Sequence, residues 1–197
     1  GGWSSFMAKE IADQPQAVGD TLMGRVSSNG SVHLNELAPL GDALSSIDRI
    51  IMVACGTAAY ASEVGKYAIE AWSRIPVSVE LSHEFRYRDP ILTSNTLVVA
   101  VSQSGETMDT LMATRYAKEA GAMVLSICNT QGATLAREAD AVLYTHAGPE
   151  VAVASTKAFT AQITSIYLLA LHLATVRSTH SKSELEEIGR DLLKLPG

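Results

Sequence analysis

Cysteine is scarce: Cys55 and Cys128 are the only two in 197 residues. Each ends an apolar run, where a small buried thiol is common. Two cysteines so placed give neither a disulfide framework nor a metal-binding spacing, which points to a reducing cytoplasmic setting. Positive charge is also short, with 15 Lys and Arg against 21 Asp and Glu and a net charge of −6. No basic cluster offsets that balance, which argues against nucleic acid as a partner. No uninterrupted apolar run approaches the roughly 20 residues of a bilayer span, and Gly1-Gly2-Trp3 opens no signal peptide, so no membrane partner is expected. Neither Gly-x-Gly-x-x-Gly nor Gly-x-x-x-x-Gly-Lys-Ser/Thr occurs, against dinucleotide and P-loop sites. His33, His146, His172 and His180 have no partner at metal-ligand spacing. No metal and no cofactor is expected.

What is present is a large core. Hydrophobic residues make up 47% and charged residues 18%, the balance of one substantial globular domain with extensions. Residues 6–26 carry a helical stripe interrupted by Pro15, followed by a break at 27–31 and a short helical stretch over 34–44. From residue 47 the pattern changes to alternation. Apolar runs at 49–54, 77–81, 96–101, 123–127 and 141–144 predict strands, with amphipathic helices over 58–72 and 107–120 between them. Continuous hydrophobicity marks strands buried on both faces. The expected fold is a three-layer α/β/α sandwich around a five-stranded parallel sheet, flavodoxin-like, with a helical segment before it. A long apolar helix is expected over 156–174. Ser183 and Glu186 have capping-box spacing for a last helix. Its apolar stripe (Leu185, Ile188, Leu192 and Leu195) appears just as the chain stops, which implies a continuation, and the start without Met suggests a fragment. The expected division is 1–46 as lead-in, 47–176 as the binding domain and 177–197 as lead-out.

Three turns follow strands in this scheme. The first, Cys55-Gly56-Thr57-Ala58, reads either as plain turn chemistry or as an anion cradle. The second, Ser102-Gln103-Ser104-Gly105-Glu106-Thr107, gathers three hydroxyls and an amide around a glycine. Its Ser104 or Thr107 could equally be an ordinary helix cap. Open helix amides beside the positive end of a helix dipole suit a phosphate, and neither turn holds Lys or Arg. Glu106 is expected to point away from an anion or to sit at a helix start. The third turn, from Gly148 to Lys157, is rich in small residues. Lys157 reads as a solvated first-turn lysine, and Glu150 as a structural or exposed carboxylate. His83, in a charge-rich stretch with Arg86 and Arg88, reads as a surface or subunit-contact residue.

Taken in order, these turns resemble the sugar isomerase (SIS) domain family. Ala54-Cys55-Gly56-Thr57, residues 84–88, residues 102–107 and residues 153–159 are similar to the isomerase part of the glucosamine-6-phosphate synthase family, and residues 6–15 to the segment that joins it to a glutaminase part. The resemblance implies that fructose 6-phosphate and glucosamine 6-phosphate bind at Cys55, Gly56, Thr57, Ala58, Ser102, Gln103, Ser104, Thr107, Val153, Ala154 and Ser155. Thr57, Ser102, Gln103, Ser104 and Thr107 would hold the phosphate and neighbouring hydroxyls; the Val153 backbone and the Ser155 side chain would meet the sugar. Many relatives carry Ser where this chain has Ala58. The resemblance also implies a homodimer, a glutaminase domain and a second SIS half carrying the catalytic groups, none of which lie in this chain. Two other uses of the fold stay open: a non-catalytic sugar-phosphate sensor, and a single-domain isomerase or deglycase relying on Glu150 or His83.

Overall fold

The computed structural model describes residues 2–197, leaving out the first glycine of the opening Gly-Gly-Trp. Five strands, β1 (Arg49–Ala54), β2 (Val77–Leu81), β3 (Thr96–Ser102), β4 (Met123–Cys128) and β5 (Ala141–Tyr144), form one sheet in the order β2-β1-β3-β4-β5. Every neighbouring pair is parallel. The chain runs from β1 outward to β2, then returns to β3 on the other side of β1. That reversal sets a topological switch point between β1 and β3, where sheets of this kind open a crevice at the strand carboxyl ends.

Alternation within β1 explains its unbroken hydrophobicity. Ile50, Met52 and Ala54 enter one buried cluster with residues of α4 (Thr57–Ser73) and α8 (Lys157–Arg177). Ile51 and Val53 enter a second cluster with Leu111, Ala113 and Ala117 of α6 (Met108–Glu119). Successive side chains point to opposite faces, so a strand covered on both must be apolar at each position. The smaller helices α5 (Ser82–Phe85) and α7 (Thr134–Glu138) lie outside the periodic signal: each is too short for a stripe.

Helices α4 and α8 approach closely at Gly65. A Cβ there would sit 2.3 Å from the Cγ2 of Ile166, so any side chain would push the two helices apart. Helix α8 is long and apolar enough to cross a membrane by length and composition. No uninterrupted run signals this, because Thr, Ser, Gln and His are scattered through it. Most of that stretch is buried inside the fold, its apolar residues clustering with α4 and the sheet.

The N-terminal stripe forms two helices, α1 (Phe6–Ala12) and α2 (Gln14–Leu22), with Pro15 in the first turn of α2 where its missing N–H costs nothing. A 3-10 turn (Asn35–Leu40), accommodating Pro39, and α3 (Ala43–Ser46) follow. The last helix, α9 (Lys182–Leu192), differs from expectation in its cap. Its capping box is Ser181 with Glu184, not Ser183 with Glu186. The same four-residue spacing occurs twice, and Glu186 is drawn away to accept from Ser31 at 2.8 Å and Asn29 at 3.1 Å. Its apolar face is covered in part: Leu185 and Leu192 bury into the main core with Val18 and Leu22 of α2, while Leu195 beyond the helix is exposed.

Candidate functional site

Carboxyl ends of β1 and β3 lead directly into α4 and α6, and neither helix start is closed by a side chain of its own cap residue. The first amides of an α-helix have no partner within it, so both starts present unsatisfied N–H groups to the crevice between them. Thr57 and Ala58 open α4, while Met108, Asp109 and Thr110 open α6. The two dipoles converge on one place.

Serine and threonine hydroxyls of the second turn add aimed donors. Ser104 Oγ accepts from the Glu106 N–H at 3.2 Å, which leaves its own proton free. Ser102 Oγ accepts from the Gly105 N–H at 3.1 Å and lies 3.2 Å from Thr107 Oγ1. Whichever of that pair donates to the other, one O–H remains for a ligand. Thr107 is therefore the cap residue of α6 by position, but its hydroxyl is engaged with Ser102. Glu106 turns away, as anticipated: Oε1 accepts from the Thr134 N–H at 2.7 Å, at the start of α7. The Thr134 amide, then its hydroxyl, hold the Glu106 carboxyl below the usual carboxylate range.

These groups line a cavity of about 180 Å³ formed by Cys55, Thr57, Ala58, Val101, Ser102, Gln103, Ser104, Thr107, Thr110, Ser155 and Gln162. Of the positions expected at the site, Gly56, Val153 and Ala154 are not in that wall. Val153 is fully exposed. Val101, Thr110 and Gln162 join it without any sequence signal. Thr110 is buried, its hydroxyl 3.0 Å from Ser82 Oγ; Gln162 reads from sequence only as part of a core helix. No carboxylate, imidazole, amine or guanidinium lines the cavity. Its single thiol, Cys55, is half-buried, whereas burial pushes the Cys128 thiol up to about 11.

The third turn is held from outside. Glu150 accepts from Ser155 Oγ (3.0 Å), the Thr156 N–H (2.8 Å) and Thr156 Oγ1 (3.1 Å), so it closes the start of α8. Glu10 of α1, 3% exposed, accepts from the Val151 N–H at 2.6 Å and the Ala152 N–H at 3.2 Å. Lys157 corrects the solvated reading: it is 5% exposed, its Nζ 3.3 Å from Asp13 Oδ2, because α1 and α2 fold across the loop. Lys9 foremost, with Lys157, holds the Asp13 carboxyl below its usual range. His83 lies on the surface 3.8 Å from Glu84, and Arg88 pairs with Glu80 within the chain.

A larger cavity of about 510 Å³ lies at the other end of α8, where His33, His172 and His180 share a wall. Among the described residues no group of three ligands could hold a metal, and no strand carboxyl end faces this space. Size alone favours it, but the converging helix starts and free hydroxyl donors place the candidate site at the switch point.

Residues 43–172 match the SIS domain family. This chain belongs to that family. An SIS chain in this position has close relatives. It is 62% identical over 197 residues to the glutamine–fructose-6-phosphate aminotransferase [isomerizing] of Leifsonia xyli subsp. xyli, covering 100% of the chain and 32% of the relative. The protein of that name from Corynebacterium glutamicum is 63% identical over 196 residues, with 100% and 32% covered. Among solved structures, the C-terminal domain of glucosamine-fructose-6-phosphate aminotransferase from Francisella tularensis superposes with a TM-score of 0.90 at 36% identity, over 97% of this SIS chain and 53% of that one. The chain thus spans about a third of the length of the curated relatives it matches.

Proposed function

We propose that this chain is the first SIS half of a glutamine–fructose-6-phosphate aminotransferase (isomerising), and that it grips the phosphate end of fructose 6-phosphate and glucosamine 6-phosphate. The observation that carries this is the convergence of two open helix starts with the free O–H groups of Ser104 and of one member of the Ser102–Thr107 pair, in a cavity whose lining carries no charge. Thr57, Ala58, Ser104 and the Ser102–Thr107 pair form a donor wall for a dianion, with Gln103 beside them. A neutral grip suits a metabolite that must leave again after reaction. On the facing side, the Ser155 hydroxyl donates its hydrogen bond to Glu150, so toward the cavity it can only accept. That polarity suits a sugar hydroxyl and repels phosphate. Cys55 and Gly56 shape the first turn, and the Val153–Ala154 backbone lies at the edge.

The cavity, at about 180 Å³, is smaller than the ~300 Å³ at which ligand pockets usually begin. It fits the head of a hexose phosphate rather than the whole of it. Ring opening, imine formation with ammonia and the proton shift between C1 and C2 need acids and bases, and the lining has none. In this reading they come from a second SIS half and ammonia from a glutaminase domain in a longer polypeptide. This chain contributes anchoring and orientation. Residues 47–176 are the binding unit, with 1–46 leading in and 177–197 leading out. A homodimer in the cytoplasm completes the proposal; the exposed stripe of Tyr60, Val64 and Tyr67 on α4 is one apolar surface open to pairing. Against a single-domain isomerase stands Glu150, whose oxygens are both engaged, and His83, which lies outside the cavity.

Titration with glucosamine 6-phosphate, followed by amide NMR, is expected to shift residues 55–58, 102–107 and 155. In the same samples, fructose 6-phosphate and ammonia should yield no product. Shifts confined to other regions, or steady conversion by this chain, would overturn the proposal.

A further inference from the structure

Resting on that reading, the geometry points to Gln162 as the residue that reads the hydroxyl-bearing carbon chain of the ligand rather than its phosphate. Gln162 is 3% exposed and sits in the second turn of α8. It lines the cavity. Its Oε1 is buried without a hydrogen-bond partner among the described residues. Native folds rarely leave a buried carbonyl unpaired, because the group loses water and receives nothing in exchange. A ligand-bearing cavity is a place where that loss is repaired when the ligand arrives.

Position and polarity say which part of the ligand does so. Ile166, one turn further along α8 on the same face, touches Gly65 of α4. Gln162 therefore looks toward the first turns of α4, across the cavity from the second turn. Ser155, on the same side, is an acceptor toward the ligand because its O–H donates to Glu150. Behind it the Glu150 carboxylate makes that side unfavourable for a dianion. Acceptors of this kind pair with hydroxyl groups, and the Gln162 amide can both accept through Oε1 and donate through Nε2. The donor wall takes the anion; the α8 wall takes the alcohols. A site built to pair a hydroxyl also rejects analogues lacking it, since the carboxamide is then left unmatched.

Gln162→Met keeps the length of the side chain and removes both polar ends. Binding of glucosamine 6-phosphate and of inorganic phosphate would be measured by NMR titration in wild type and variant, with thermal unfolding alongside. The expected result is an affinity about tenfold lower for the hexose ester, within twofold for inorganic phosphate, and a melting temperature equal to or above wild type. A structural role would instead lower the melting temperature and leave the affinity ratio unchanged, which overturns the inference. Equal weakening of both ligands also overturns it, because Gln162 would then serve the phosphate. If the wild type binds inorganic phosphate but not the ester, or neither, the sugar-phosphate reading itself fails and takes this assignment with it. Gln162→Glu, which retains an acceptor, is expected to recover part of the ester-to-phosphate ratio; no recovery counts against hydroxyl recognition. Should Gln162→Met fail to fold, Gln162→Leu and this Glu variant carry the same comparison.

Discussion

The two walls of the cavity are built by different means. The turns after β1 and β3 make the donor wall from local geometry: a strand ends, a helix begins, and the amides of that start have nowhere else to go. Contacts across the chain make the opposite wall, at Ser155 and at Gln162 in the second turn of α8. The loop that leads into it is fixed by Glu10 on the Val151 and Ala152 amides and by Asp13 on the Lys157 side chain, both more than 130 residues earlier in sequence, and by Glu150 acting on Ser155 and Thr156. Phosphate binding should therefore depend on short-range features, and sugar binding on whether the N-terminal helices stay docked.

The sharpest way to break the first wall is Gly105→Ala. Gly105 has φ +66, and a Cβ there would lie 2.6 Å from the Ala133 Cβ. A left-handed alanine costs about 1–2 kcal/mol, and the overlap with a backbone-anchored methyl adds about 1–3 kcal/mol. A loss of about 2–5 kcal/mol in chemical denaturation is expected. Phosphate-induced shifts at 102–107 should vanish with it. Retention of phosphate affinity in a folded Gly105→Ala variant would show that the second turn is not the anion site.

Legibility followed the same division. The central strands β1 and β3 announce themselves through nearly unbroken apolar runs because both their faces are covered, the edge strand β2 (VSVEL) through alternation, and the two helices flanking the switch point through amphipathic spacing. Thr57, Ser104 and Thr107 are readable for a local reason: hydroxyls clustered where a strand meets a helix. Gln162 and Thr110 are not. Each lies inside a helical stretch, and its approach to the cavity depends on how that helix packs. Lys157 misleads for a related cause, since a first-turn lysine looks solvated until α1 and α2 are seen lying over it. The capping box at α9 shows the limit of motif spacing: two overlapping matches differ by two residues, and only the tertiary claim on Glu186 by Ser31 and Asn29 separates them.

The second wall is tested from a distance by Glu10→Gln. The substitution leaves a side chain of the same size but withdraws the charge from two partly buried amide contacts, and such contacts are worth about 1.5–3 kcal/mol when the acceptor is ionised. Faster hydrogen exchange is expected at Val151 and Ala152, together with an affinity for glucosamine 6-phosphate reduced severalfold. Inorganic phosphate should bind as in wild type. Equal loss of both ligands would mean that the walls are one cooperative unit, and the comparison would have to be abandoned.

The smallest effect is a gain. Ala58 lines the cavity at the second position of α4, and its methyl faces the same space as the free amides of that helix start. Ala58→Ser adds one donor to the wall already rich in them, without changing the backbone, since serine is tolerated in a first helical turn. One added hydrogen bond contributes about 1 kcal/mol net, or roughly fivefold in affinity. Because the hydroxyl joins the donor wall, inorganic phosphate and the hexose ester should gain alike. A gain confined to the ester would place the α4 start against the sugar instead, and the phosphate would then belong to the β3 turn alone.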